Sequence, residues 1–110
     1  MDKPEIDKDG NGILFSGNAK VTECKEIQSN VFLLETELEL ERETQVSPLP
    51  GQFYLVKSTR SNVQFGRPIS VYHADRKSDT ILRVQFLILQ KGEGTAELCH
   101  LLKNDLVELS

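Results

Sequence analysis

The 110-residue chain reads as an all-β protein, a six-stranded antiparallel barrel with one short helix before the last strand. Three observations carry that reading. Phe32, Leu34, Thr36, Leu38 and Leu40 alternate with Leu33, Glu35, Glu37, Glu39 and Glu41, a period of two that gives a strand one core face and one wet face. Turn chemistry at Pro50-Gly51, in the charged stretch 74–79 and at Gly92-Glu93-Gly94 separates short β-rich runs, the spacing of a barrel rather than of a doubly wound sheet. Only one stretch, near the end, has a helical pattern.

Taken in order, residues 1–18 are expected to be an irregular lead-in, with Gly10 and Gly12 in a polar run. Residues 19–27 form a first strand, and the alternating run from Phe32 a second. A helix built from the same Glu and Leu residues would wrap its apolar positions around the axis instead of gathering them in a stripe. Residues 42–52 are loop, and Pro50-Gly51 turns the chain into a strand at 53–57. A polar loop at 58–66 leads through Pro68, which has no N–H and so belongs at a strand start or edge, into a strand at 69–73. Residues 81–89 are nearly continuous in β-formers, the pattern of a strand covered in part on both faces. A helix is predicted over 95–102, with Thr95 as its N-cap, Glu97 in its first turn, Lys103 at its carboxyl end and Asn104 in the left-handed position. A last strand begins at 106–109.

Composition removes several functions. Thirteen basic against seventeen acidic residues give −4 at pH 7, which argues against nucleic acid or an anionic membrane surface as partner. The longest apolar runs, such as Phe86-Leu87-Ile88-Leu89, have four residues, far short of a membrane-spanning helix. The charged start, Met1-Asp2-Lys3-Pro4-Glu5, is unlike a secretory signal, so a cytoplasmic setting is expected. Two cysteines, Cys24 and Cys99, make no disulfide framework and read as two small buried thiols. Neither they nor His73 and His100 have zinc-ligand spacing. Cys99 and His100 are adjacent on a helical run, so their side chains diverge and a nucleophile pair is not expected. Asp7-Lys8-Asp9-Gly10-Asn11-Gly12 copies the first half of a calcium loop. Its twelfth position is Asn18 instead of the bidentate Glu, and too few residues precede it for an entering helix.

Two segments carry candidate chemistry. Gly66-Arg67-Pro68-Ile69-Ser70-Val71 places an Arg at a strand entrance and a Ser three residues on. The guanidinium is always charged and its planar fork matches a phosphate. Lys91-Gly92-Glu93-Gly94-Thr95 precedes the helix, where glycines let a ligand approach the backbone and the first N–H groups are free. Singly, an Arg is usually solvated surface and a Gly-x-Gly is usually a plain turn. Together they offer two grips on a diphosphate.

With Pro50-Gly51-Gln52-Phe53 before them and Leu102-Lys103-Asn104-Asp105-Leu106-Val107 after, these segments stand in an order and spacing that resembles the FAD-binding domain of the ferredoxin–NADP reductase superfamily. The Arg-Pro-Ile-Ser form, with Ile69 where the superfamily usually has an aromatic residue, is most similar to the electron-transfer subunit of class B dihydroorotate dehydrogenases. The resemblance covers about residues 20–110. It implies a Greek-key barrel at 19–110 with FAD across its face. Carried over to this sequence, Arg67 would bind the diphosphate and Ser70 would lie near the flavin N5. Pro68, Ile69, Val71 and Tyr72 would line the flavin and ribitol, and Leu87 and Ile88 would flank the ribose or adenine. Gly92, Gly94 and Thr95 would donate to the diphosphate. The resemblance also implies electron passage between NAD(H) and an iron–sulfur cluster, with a catalytic dehydrogenase subunit as partner. These 110 residues contain neither the nucleotide-binding domain nor the four cluster cysteines such a cycle needs. The chain is therefore expected to be an excised amino-terminal domain, inactive by itself in NADH-dependent turnover. A flavin subunit of another oxidoreductase, of sulfide dehydrogenase or glutamate synthase type, and a flavin-free barrel used for protein contacts are the alternatives.

Overall fold

The computed structural model describes residues 13–14, 16–40, 45–61 and 66–110. Among these described residues, eight strands and one helix follow in the order β1 (Ile13–Leu14), β2 (Gly17–Gln28), β3 (Val31–Glu39), β4 (Gln45–Val46), β5 (Phe53–Ser58), β6 (Arg67–Arg76), β7 (Ile81–Leu89), α1 (Gly92–Cys99) and β8 (Leu106–Leu109). Six of the strands close into a barrel in the order β2-β3-β7-β6-β5-β8, every pair antiparallel. β5, β6 and β7 are sequential neighbours, and β8 returns through α1 to lie beside β5, which is the Greek-key arrangement. The two remaining strands, β1 and β4, form a two-residue parallel pair outside the barrel, within stretches read from sequence as lead-in and loop. The first barrel strand starts at Gly17, two residues before the expected boundary.

The alternation in β3 became burial. Phe32, Leu34, Thr36 and Leu38 face the interior and meet Ile88, Phe86, Val84 and Leu82 of β7 across nine consecutive pairs. β7 alternates in the same way, its outward residues half-buried up to the exposed Leu89. Val21, Leu34, Val56, Leu82, Val84, Phe86, Val107 and Leu109 are at most 1 % exposed and form one continuous core. Thr36 is fully buried, and its hydroxyl donates to the Val84 carbonyl at 2.8 Å. The Tyr54 ring meets Phe86 edge to face at 6.4 Å; burial pushes its phenol up to about 12, and its hydroxyl has no hydrogen-bond partner among the described residues.

The helix lies three residues earlier than the pattern suggested, at Gly92–Cys99. Thr95 is therefore inside it and is not the N-cap. Its hydroxyl reaches back to the cap residue Lys91, accepting from the N–H at 2.7 Å and donating to the carbonyl at 3.3 Å. This reverse capping satisfies a free N–H from within the first turns and lets the helix begin among the glycines. Leu98 and Cys99, with Leu101 just beyond, enter the core. Lys103 lies past the helix, whose last turn carries no basic residue. Asn104 does take a positive φ of 77°, but in the turn from Leu102 to Asp105, where its N–H donates to the Val21 carbonyl at 2.7 Å.

Cys99 is buried, whereas Cys24 is only partly so, with its thiol 3.4 Å from the Cys99 carbonyl. Burial raises both thiols, Cys99 to about 11, with the nearby Cys24 adding to the shift. Both stay protonated near neutrality and are poor nucleophiles. His100 is exposed, with its ring edge-on to Phe32 at 5.6 Å. The calcium-loop segment 7–12 falls outside the described residues, among which no group of three His, Cys, Asp or Glu could hold a metal. No described helix is long and apolar enough to cross a membrane.

Candidate functional site

The outer surface of the sheet divides along the strand direction. Toward one end, the outward side chains of β3 and β7 are Glu35, Glu37, Arg83 and Gln85, and they satisfy one another and their neighbours. Arg83 holds Asp75 through two hydrogen bonds of 3.0 and 2.8 Å, Lys77 reaches Glu37 at 2.6 Å, and Gln85 donates to Glu35 at 2.6 Å. The hydrogen bonds and charge of Arg83 hold the Asp75 carboxyl below its usual value. Burial alone would raise Glu35, but the bonds from Gln85 and Thr22 outweigh it and hold it low. This region is complete in itself.

Toward the other end the outward residues turn apolar. Val31 stands beside Leu89 and Leu33 beside Leu87. The face continues onto β6 and β5, where Pro68, Ser70 and Tyr72 point outward next to Leu55 and Phe53. Phe53 is 63 % exposed and Tyr72 is 55 % exposed, with Ser70 paired directly opposite Phe53. A strand with Phe53 and Leu55 on one side and Tyr54 and Val56 on the other is apolar on both faces, yet only the inner one has a core to pack on. Two exposed aromatic rings thus flank a hydroxyl on an otherwise apolar stretch of the outer face, an apolar platform with a single polar group.

Local chemistry fixes this platform. Gly51 has a φ of 92°, open to glycine and strained for other residues, and it makes the turn into β5. The Gly51 N–H donates to the Val71 carbonyl at 3.0 Å, and the Val71 N–H donates to the Gln52 carbonyl at 2.6 Å. The Gln52 side-chain oxygen closes the turn by accepting from the Leu49 N–H at 2.6 Å. The turn is thereby tied to β6 beside Ser70. The β6–β7 register slips between Val71 and His73, leaving Tyr72 at a bulge, and the in–out alternation fails there, so that Tyr72 and His73 are both exposed. A bulge of this kind re-aims a side chain next to a site.

Arg67 opens β6, paired with Val56. Among the described residues, Arg60 pairs with Asp105, Arg83 with Asp75, and Arg76 donates to the Asp79 carbonyl, but Arg67 makes no hydrogen bond or ion pair. Because β6 and β7 are antiparallel, the start of β6 and the end of β7 lie at one end of the barrel. Arg67 therefore shares that end with Leu89 and with the amino terminus of α1, where Gly92 has a φ of 63° and an added Cβ would meet nothing within 4 Å.

Of the residues singled out from sequence, Arg67, Pro68, Ser70, Tyr72, Leu87, Gly92 and Thr95 have the outward or end-of-barrel placement a surface ligand requires. Ile69, Val71 and Ile88 are 8, 2 and 1 % exposed and belong to the core, so a ligand on the outer face would meet them through their backbone. The reason is the period of two, which sends each of them to the opposite side from Pro68, Ser70 and Leu87. The Thr95 hydroxyl is already engaged with Lys91. Gly94 falls within the first turns of α1. Phe53 and Leu55 are the additions, and the doubly apolar strand is the signal that could have found them. A separate groove of about 390 Å³, lined by Ser58, Arg60, Glu97, His100, Leu101, Leu102 and Asp105, has its Arg60 and Asp105 charges bonded to each other at 2.8 Å. It includes none of these candidate residues.

At one end the closed antiparallel barrel thus presents two exposed aromatic rings, a serine and an arginine that makes no hydrogen bond or ion pair among the described residues. Comparison with known proteins gives it a relative. No protein-family model matches the chain. Over 90 residues, 82 % of its length, it is similar to the electron transfer subunit of dihydroorotate dehydrogenase B (NAD(+)), with 31 % identity to the protein of Listeria welshimeri and 32 % to that of Listeria innocua. The match covers 33 % of each relative, so the chain spans about a third of the length of the curated proteins it resembles.

Proposed function

We propose that this chain is a flavin-binding barrel of an electron-transfer subunit, with FAD as its cofactor. The observation that carries the reading is Arg67, free of partners among the described residues and set at the end of an exposed aromatic platform. The residues present fit the group. Phe53, Tyr72, Leu55 and Pro68 would cover an aromatic ring system, and Ser70 would offer it one hydroxyl. Arg67 would hold the diphosphate as a fork of donors, with the backbone N–H groups at the start of α1 as a second grip. Bound flavin supplies hydride and single-electron chemistry. The chain's own share is to bind it, keep one face of the ring dry and offer a hydrogen bond from Ser70.

The similarity to dihydroorotate dehydrogenase subunits supports a role beside a catalytic dehydrogenase subunit, with electrons passing between NAD(H) and an iron–sulfur cluster. On this reading residues 19–110 are the flavin domain. Nicotinamide and cluster sites belong to other domains of the subunit, and the setting is cytoplasmic.

The test is titration of the purified chain with FAD, FMN and riboflavin, followed by flavin fluorescence, with Arg67→Ala alongside. Saturable FAD binding that Arg67→Ala weakens about tenfold or more is expected, the scale of a lost charge-assisted hydrogen bond. Absence of flavin binding would leave a barrel used for protein contacts.

A further inference from the structure

We infer that Gly66 is a positioning residue for Arg67, and that its missing side chain is what lets β6 carry that guanidinium to a phosphate. This rests on the flavin reading above.

Gly66 lies against the backbone of β5. A Cβ added there would stand 3.0 Å from the carbonyl carbon of Leu55, 3.0 Å from the Val56 nitrogen and 3.1 Å from the Val56 carbonyl carbon. All three are main-chain atoms, so no change of rotamer relieves the contact. The start of β6 would have to lift from β5 by a few tenths of an ångström. The close approach of the β5 backbone selects glycine here. Gly51 and Gly92 are the converse, with positive φ and open space around the missing Cβ.

The consequence falls on Arg67. It is the next residue, and it pairs with Val56, whose backbone Gly66 touches. With no partner at the far end of its side chain among the described residues, the guanidinium takes its position from the backbone end alone. Ser70 lies three residues further along β6, opposite Phe53, and is tied to the Gly51–Gln52 turn through its neighbour Val71. A shift at Gly66 therefore reaches the phosphate grip before it reaches Ser70 and Phe53.

Riboflavin carries the ring without a phosphate, and FAD carries both. Gly66→Ala, Arg67→Ala and the double variant would be titrated with each ligand by fluorescence, with thermal melts confirming folded protein. Gly66→Ala is expected to weaken FAD about tenfold, the scale of one charge-assisted contact, while riboflavin stays within about twofold. The double variant should bind FAD no more weakly than Arg67→Ala alone, because a placement matters only while the placed group is present. Equal losses for both ligands, or additive losses in the double variant, would overturn the inference while leaving the flavin reading intact. If Gly66→Ala does not fold, Arg67→Lys decides. A flexible point charge should lose FAD as fully as Arg67→Ala if a placed fork is required, and wild-type affinity would refute it. Failure of the unaltered chain to bind either ligand would remove the flavin reading and this inference together.

Discussion

Replacing Phe53 by alanine strips the platform of its most exposed aromatic ring. The ring is 63 % exposed, and a phenylalanine side chain offers roughly 200 Å², so about 125 Å² now faces water. A planar ligand covers one face of such a ring, about half of that area. At about 25 cal/mol per Å², the covered surface contributes about 1.5 kcal/mol, and ring–ring geometry adds roughly 0.5–1.5 kcal/mol. Together that is about 2–3 kcal/mol, so Phe53→Ala should weaken flavin binding by roughly 30- to 140-fold. The fold should lose far less than the 3–5 kcal/mol typical of a buried phenylalanine. The assay is fluorescence titration of riboflavin, FMN and FAD against the variant, paired with a thermal melt. All three ligands should lose by the same factor, because they share the ring and differ only beyond it. Unchanged affinity for all three would mean that the ring lies elsewhere, and a loss confined to FAD would contradict the assignment of Phe53 to the ring.

Other consequences concern the frame. Arg83→Ala removes the fork that holds Asp75 low. A carboxyl depressed in the folded state contributes stability above its unfolded value, near pH 4, and that contribution is lost as pH falls through the folded value. Melting temperature against pH should thus fall less steeply on the acid side in the variant, with flavin affinity unaltered; an unchanged acid slope would refute the coupling. Thr36→Val removes the buried hydroxyl that donates to Val84 and should cost about 1 kcal/mol, seen as a melting point lower by roughly 4–8 °C. Tyr54→Phe removes a buried hydroxyl without a described partner and should leave the melting point unchanged or higher.

The strands were legible wherever one face was apolar and the other charged. β3 is the clearest case: four inward side chains alternate with residues that tolerate water, and no other register buries the same set. The helix was legible as an element but misplaced by three residues, because a threonine after glycines looks like a cap. Here the same hydroxyl serves the cap residue from inside. The candidate site was legible in part. Arg67 and Ser70 stood out by chemical type, while Phe53 and Leu55 were hidden in a strand whose two faces are equally apolar.

Local spacing by itself determined that this is a β protein with one late helix, because a period of two and turn residues act over a few neighbours. It also determined which residue types could meet a diphosphate. What lies beside what was decided by pairing between strands remote in sequence. Closure of β2 against β8 makes the barrel, and the slip after Val71 leaves His73 exposed where the alternation would have buried it. The strand pleat sends Ile69, Val71 and Ile88 into the core while Pro68, Ser70 and Leu87 remain outside. Whether an arginine is neutralised or left free is likewise a tertiary matter: Arg83 meets Asp75 across two strands, whereas Arg67 makes no ion pair among the described residues. Charge and hydropathy belong to a residue, but burial and partnership belong to the pair, and only the folded chain brings the pair together.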